Sequence, residues 1–459
     1  MEADWSLVGE RQEVPRGKHV LIAGAGIAGL TAARILQASG FEVTLLEARD
    51  RLGGRIWTRE LGDTPVDLGA SWIHEARRNP LVTLCRRAGI GLMSSPRSPL
   101  CFYEAGRCTP FPRMVWQHRR ALYRLVGRYL MERIRHRWGT DCALEEALRP
   151  VLERVSDTRF LHWLLAMIEN IHGAPADRIR LRLWDPREAW GENLIPQGGY
   201  GRLITWLARP LKRIRLSTDV REVWYDGEGV RVRTNRGHYS GDVLLITVPL
   251  GILKAGCIRF TPPLPKRKQL AIKRIGYGEG SVLNKLVMYF PEPVFPLDVT
   301  RYAALPESPE KRGAFPIWVA SNARVVTGFL GGKIAAHWDI EGKDLSEEGR
   351  RRLEHMFGHA FPEPVISIAT RWLHDPWARG SYSYEAVGQA RSDRLELQKP
   401  VGRRVFFAGE AVHPLHYGTV HGALLSAEAA SRAIVEACTG MPADLSRLPW
   451  RRGTKKGPL

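Results

Sequence analysis

The chain is 459 residues long, carries 68 Lys and Arg against 48 Asp and Glu for a net charge of +20, and is 44% hydrophobic. That length exceeds one simple core and suits two or three interleaved domains, while no apolar run approaches the roughly 20 residues of a bilayer-spanning helix. The six cysteines show no CxxC and no zinc-like spacing, so neither a disulfide framework nor a metal centre is predicted, and a soluble, cytoplasmic chain is the expectation.

The first ten or so residues are polar and read as loose. Lys18 to Glu47 then reads as strand, glycine turn, helix and strand, one compact βαβ unit. Within it Gly24, Gly26 and Gly29 form a GxGxxG. The first glycine permits the tight turn, the second lets backbone approach a pyrophosphate, and the third lets helix and strand pack closely. Phosphates there would meet the positive end of the helix. Glu47 lies 23 residues after Gly24, at the end of the second strand, where a carboxylate suits ribose hydroxyls. A dinucleotide site is predicted.

From about Pro80 to Asp185 the pattern is mainly helical. Its most basic piece, Arg113 to Arg137, interleaves arginines with Trp116, Leu122, Leu125, Tyr129, Leu130 and Ile134. That spacing predicts a basic amphipathic helix or pair of helices, with arginines facing solvent over a buried apolar stripe; a polyanion-binding surface is the alternative. Leu216 to Pro249 alternates β-rich runs with turns at Asp226-Gly227 and Asn235-Arg236-Gly237. Further strands are predicted at Leu283–Phe290, Val365–Trp372 and Val405–Ala408, and helices at Ser346–Phe357 and Gly422–Ala437. Arg451, Arg452, Lys455 and Lys456 suggest a disordered tail.

Because GxGxxG serves NAD and FAD alike, later motifs must decide between them. Arg49 to Arg55, with Gly53 and Gly54, resembles the double-glycine extension of glutathione-reductase-like flavoproteins. Asp67-Leu-Gly-Ala-Ser-Trp-Ile-His74 is similar to the segment that follows in flavin-dependent amine oxidases. Pro196-Gln-Gly-Gly-Tyr200 is similar to that family's PxGGY turn, Val243–Lys254 to its strand beside the flavin, and Asn284-Lys285-Leu286 to the site of its lysine. Trp372 with Gly380 to Tyr384 looks like a pocket wall, and Phe407 to Glu410 with Tyr417 to Ala423 resembles the C-terminal signature of the polyamine oxidase branch.

The resemblance to the FAD-dependent amine oxidases implies an α/β fold, with a Rossmann-like, glutathione-reductase-like FAD domain built from discontinuous segments and an inserted α+β substrate domain. Residues 1–90, 196–255 and 370–445 are assigned to the first, 91–195 and 256–369 to the second, and 446–459 to a basic tail. Implied FAD contacts are Gly24, Gly26, Ala28, Gly29, Glu47, Arg49, Gly53, Gly54, Arg55, Gly69, Ala70, Ser71, Trp72, Val220, Trp372, Gly409, Glu410, Gly418, Thr419 and Val420. Residues 409–423 contain no cysteine, so noncovalent FAD is expected. Helix N–H groups opening at Gly418 to Ala423 would favour anionic reduced flavin.

The family chemistry is hydride transfer from an amine α-carbon to flavin N5, hydrolysis of the resulting imine to an aldehyde, and reduction of O2 to H2O2. Lys285 is expected to hold a water, Tyr382 and Tyr417 to offer aromatic faces to the amine, and His74 to hydrogen-bond it. Two departures stand out: Thr419 where several relatives carry an aromatic residue, and Glu75 where a glycine commonly follows the histidine. A polyamine of spermidine or spermine type is the expected substrate, although a +20 chain repels polycations unless an acidic funnel, with Glu75, Asp185, Glu188 and Glu192 as candidates, inverts the local field. The alternatives are an L-amino-acid or monoamine oxidase, and a flavin-containing nucleic-acid or membrane-surface binding protein. No specific nucleic acid, no transmembrane segment and no particular oligomer is expected.

Overall fold

The computed structural model describes residues 17–95, 100–136, 141–155, 158–181, 192–296, 298–443, 445 and 448. The expected loose N-terminus, the basic residues Arg451, Arg452, Lys455 and Lys456 of the tail, Arg137, Asp185 and Glu188 lie outside the described residues.

Five strands from distant parts of the chain run parallel in the order Val405–Phe407, Val243–Ile246, His19–Ala23, Glu42–Leu46 and Ile214–Arg215. The central strands are nearly continuous apolar runs because both faces are covered. Val20, Ile22, Val43, Leu45, Val243, Leu245 and Phe406 face the helices Ile27–Ala38 and Val420–Thr439. Leu21, Leu46, Leu244, Ile246, Val405 and Phe407 face a four-stranded sheet of Gly237–Gly241, Val230–Thr234, Val220–Tyr225 and Arg259–Thr261. The chain enters its first glycine turn where His19–Ala23 ends, between neighbours reached by opposite crossovers, and ligands of open α/β sheets bind in such a crevice.

A seven-stranded sheet holds the other large core, in the order Ile366–Ala369, Leu283–Tyr289, Val325–Gly331, Ala314–Ala320, Arg301–Ala303, Leu100–Glu104 and Arg107–Pro110. The last two strands form a hairpin inside the stretch from Pro80 to Asp185, whose described residues are otherwise mainly helical, as expected. Ala105 and Gly106 both take positive φ, 48° and 76°, the backbone of a two-residue hairpin turn whose twist matches the strands it joins. The other expected elements are present with shifts of a few residues: Leu283–Tyr289, Ile366–Ala369, Leu345–Phe357 and Val420–Thr439.

The basic segment folds as two helices, Phe111–Gln117 and Arg119–Arg135. Tyr129 and Glu132 point inward, flanked by half-buried Leu122 and Leu125. The expected solvent-facing arginines are present, with Arg119, Arg120, Arg124, Arg133 and Arg135 exposed, but they share the outer surface of the second helix with apolar residues. Tyr123, Val126, Leu130 and Ile134 are 77%, 53%, 50% and 72% exposed on the side opposite the core. The run holds more apolar residues than one face of a helix can bury, so a second apolar stripe is left outward with arginines along its edges.

Candidate active site

The glycine turn is shaped by three different constraints. Gly24 has φ +106°, and a Cβ there would lie 2.7 Å from Thr247 Oγ1, whose hydroxyl hydrogen-bonds the Ala23 and Gly24 carbonyls. A Cβ on Gly29 would sit 2.0 Å from the Gly24 carbonyl oxygen, so helix and turn could not approach. Gly26 differs: its φ of −74° suits any residue, and its Cβ would meet nothing nearer than the Gly53 oxygen at 3.8 Å. The protein supplies no steric reason for glycine at position 26, whereas a phosphate laid on the N-terminus of Ile27–Ala38 would.

The second glycine pair closes on the first. The Gly53 N–H donates to the Ala25 carbonyl at 2.9 Å, and Gly53 and Gly54 both have positive φ. Glu47 is buried, its two oxygens accepting from the Ala25 and Arg49 N–H groups at 2.7 and 2.9 Å; burial holds its carboxyl above the ordinary value despite these bonds. Each oxygen retains a lone pair for a ribose hydroxyl. The Thr218 N–H bonds the Glu47 carbonyl at 2.7 Å, which brings the strand opening at Val220 alongside; Ala28 is buried in the first helical turn. Arg49 spends its guanidinium on a bidentate pair with Asp375 at 2.9 and 2.7 Å, a partner the sequence reading missed. These residues fit a dinucleotide.

Arg55 ties this cradle to the C-terminal signature. Its Nη1 lies 2.7 Å from Glu410 Oε1 and 3.0 Å from the Ser381 carbonyl, and a Cβ on Gly69 would lie 1.8 Å from the Arg55 oxygen. Glu410 also accepts from Ser383 Oγ at 2.6 Å and the Gly418 N–H at 2.7 Å. Burial would raise its carboxyl, but Arg55 and the Ser383 and Arg55 hydrogen bonds outweigh that and hold it below the ordinary value. Three segments distant in sequence therefore meet on one buried carboxylate. Gly409, at φ +134°, has open space where a Cβ would be. Thr419 caps the last long helix, accepting from the Gly422 N–H at 3.0 Å, with Val420 as its first residue.

Lys285 occupies the middle of Leu283–Tyr289, opposite Phe329. Its Nζ donates to the Asp67 and Gly69 carbonyls at 2.8 and 2.6 Å and reaches Ser71 Oγ at 2.6 Å, 5.5 Å from the Trp72 ring and 5.7 Å from Phe329. Ala70 sits between, its N–H on the Arg55 carbonyl at 3.2 Å. The Pro196–Tyr200 turn braces this segment: the Tyr200 N–H and the Thr58 hydroxyl both donate to the Asp67 carboxylate. Burial lowers Lys285 to about 8, opposed by Asp67.

Trp372 is buried edge-on to Trp57, centroids 6.3 Å apart, its N–H on Asn284 Oδ1 at 2.9 Å while Asn284 is pinned by Asp339 at 2.8 Å. Sequence reading passed over Asn284 and Asp339, although a wholly buried Asn beside Lys285 is a signal once its burial is known. Tyr382 donates to the Asn170 carbonyl at 2.5 Å, and a Cβ on Gly418 would lie 3.4 Å from its ring, so Tyr382 and Tyr417 belong to touching segments. The Arg394 guanidinium stacks on Tyr417 at 4.0 Å, taking one π-face expected for substrate. His74 is on the exposed rim, Nδ1 3.1 Å from Asn193 Oδ1. A histidine chain that sequence reading overlooked stands beside it: His413 to His416 at 5.0 Å and His416 to His421 at 4.6 Å. Burial and mutual repulsion lower His413 to about 4 and His421 to about 3, so both are neutral near pH 7.

The profile of flavin containing amine oxidoreductases matches residues 27–435. Lysine-specific histone demethylase 1 homolog 1 of Oryza sativa subsp. japonica is 33% identical over 450 residues, covering 91% of this chain and 52% of its own length. Protein FLOWERING LOCUS D of Arabidopsis thaliana is 32% identical, covering 94% and 57%; the chain spans about half the length of these two relatives. Probable polyamine oxidase 4 of Arabidopsis thaliana is 33% identical over 441 residues, covering 90% of this chain and 86% of its own. Wild-type putrescine oxidase solved with putrescine shares the fold, with a TM-score of 0.72 at 18% identity over 90% of this chain and 98% of that one.

Proposed function

Since this chain belongs to the flavin-containing amine oxidoreductases, we propose that it oxidises a polyamine of the spermidine or spermine type with noncovalently held FAD. When bound, FAD accepts the hydride from the amine α-carbon, leaving an imine that water hydrolyses to an aldehyde while dioxygen becomes hydrogen peroxide. The Gly24–Gly29 turn holds the pyrophosphate, Glu47 the ribose, and Arg55 with Glu410 fixes the two ends of the cradle together. Lys285, lowered to about 8, orders a water that takes the place of the Ser71 hydroxyl as its third partner. Tyr382, anchored on Asn170, keeps a rigid aromatic wall for the alkyl chain.

The pairing of three arginines around the cradle carries the choice of an amine without a carboxylate. Arg55, Arg394 and Arg49 are paired with Glu410, Glu385 and Asp375, so these three are not free to form the bidentate clamp an amino acid would need, and Arg51 is held by the Leu52 and Gly54 carbonyls and the Trp57 ring. Exposed Glu75 and Glu192 on the rim by His74 supply local negative charge for a cation. A second reading, an N-methylated lysine in a basic peptide, is favoured by the demethylase name of the Oryza sativa relative.

The test is anaerobic bleaching of flavin absorbance with spermidine, spermine, acetylated polyamines, monoamines, L-amino acids and a dimethyl-lysine peptide. Rapid bleaching by spermidine or spermine is expected. Bleaching by the peptide alone moves the assignment to the second reading, and bleaching by L-amino acids defeats the arginine argument. Failure of every amine, with dithionite still reducing the flavin, removes the polyamine reading.

A further inference from the structure

The outward stripe of Arg119–Arg135 lies apart from the site described above. At 100° per residue, Val126, Leu130, Tyr123 and Ile134 fall within an arc of roughly 80° whose centre is about 130° around the helix from the buried Glu132 and Tyr129. All four are at least 50% exposed, and Trp116 on the preceding helix is 65% exposed. The edges of the arc are basic: Arg133 on one side, Arg120 and Arg124 on the other. Arg119, which would otherwise interrupt the stripe, folds back over Trp116 at 4.5 Å with a hydrogen bond to its carbonyl at 2.8 Å. An apolar strip of this kind, bordered by arginines and carrying Trp and Tyr, is exposed in solution at a cost, and a monomeric surface without a use for it rarely keeps it.

The geometry points to an anionic lipid bilayer as the occupant: the helix lies in the interface with its apolar arc among the acyl chains and its arginines at the headgroups. Charge complementarity selects this occupant. A second copy of a +20 chain would bring two arginine borders together, and duplex nucleic acid would press phosphates on the apolar arc. A helical protein partner would find Gly127, with nothing within 4 Å of its Cβ position, where a knob is wanted on the outward seam. A bilayer needs no such register. It accepts aromatic residues at the headgroup level, lets arginine stems run along apolar surface while their heads stay wet, and draws on the charge of the whole molecule. Among the described residues no helix is long and apolar enough to cross a membrane, so the contact is peripheral.

The test is co-sedimentation of the FAD-loaded full chain with vesicles of phosphatidylcholine alone and with about one third phosphatidylglycerol, at low and at raised salt. Two exposed triple variants accompany it: Tyr123→Ser with Leu130→Ser and Ile134→Ser, and Arg120→Gln with Arg124→Gln and Arg133→Gln. The wild type is expected to bind the anionic vesicles and not phosphatidylcholine alone, and each triple variant to lose at least about tenfold in partition while its flavin spectrum stays unchanged. Two results overturn the proposal: no wild-type binding to anionic vesicles at low salt, or a serine variant that binds as tightly as wild type, which would leave net charge as the whole cause. Absence of vesicle binding combined with a size-exclusion shift by an acidic amphipathic peptide would assign the stripe to a protein partner instead. Self-association abolished by the serine variant would assign it to a second copy.

Discussion

Lys285 shows how strongly burial sets the chemistry of a single side chain. Its ammonium is taken from water and given two carbonyls and a hydroxyl in return, and burial still lowers it to about 8. An unfolded lysine titrates near 10.4, so between about pH 8 and pH 10 the unfolded chain binds more protons and stability rises with pH. The burden is greatest below pH 8, at about 3 kcal/mol, and fades above 10. Lys285→Met should flatten the denaturation midpoint across that window, retain FAD, and slow flavin reduction or reoxidation about 100-fold or more; unchanged stopped-flow kinetics would remove Lys285 from the reaction. Glu75 is a second case. It stands where a glycine commonly follows the histidine, and its φ is +51°, a left-handed conformation that costs a non-glycine residue about 1 kcal/mol. Glu75→Gly should raise stability by up to that amount in urea melts. Retaining a strained glutamate on the rim is consistent with use of its charge.

At the scale of elements, the GxGxxG turn separates what the fold requires from what a ligand requires. Gly29→Ala would drive a Cβ to 2.0 Å from the Gly24 oxygen, and the βαβ unit should lose about 2 kcal/mol or more as helix and strand part. Gly26→Ala meets no protein atom closer than 3.8 Å, so thermal stability of the apoprotein should be retained while FAD affinity falls about tenfold or more. Titrating FAD into both refolded apoproteins distinguishes them, and equal FAD affinity for Gly26→Ala and wild type would refute the cradle. These glycines and Glu47 were legible in sequence because the chemistry of a nucleotide site fixes residue type at fixed spacing, whereas Glu410 was legible only through the resemblance of its segment to a family signature. Their connections were not: that Arg55 reaches Glu410, 355 residues away, or that Arg49 pairs with Asp375, depends on chain crossings that no local pattern encodes. The Leu100–Pro110 hairpin was hidden differently. Its turn, Ala105-Gly106, lacks the Asn or Asp that usually announces φ above zero at the first position, and basic helix formers downstream drew the reading toward helix.

For the molecule as a whole, net charge and substrate charge pull against each other. A +20 surface repels a polycation over a Debye length of roughly 10 Å at about 0.1 M salt and longer in dilute buffer, so added salt weakens that repulsion. Glu75 and Glu192 flank His74 at the rim, while the neutral His413 and His421 add no positive charge there. If the global field governs encounter, kcat/KM for spermine should rise a few-fold between about 20 and about 150 mM salt, and a monoamine, carrying less charge, should respond less. If the rim carboxylates govern it, kcat/KM should fall with salt instead, and Glu75→Gln with Glu192→Gln should abolish the fall. Two carboxylates against 20 net positive charges decide the expectation: the rise is predicted, because Asp185 and Glu188 lie close in sequence to Arg187 and do not add cleanly to the rim. Steady-state peroxide release across a salt series measures the slope directly, and its sign separates a rate set by the whole surface from one set by its mouth.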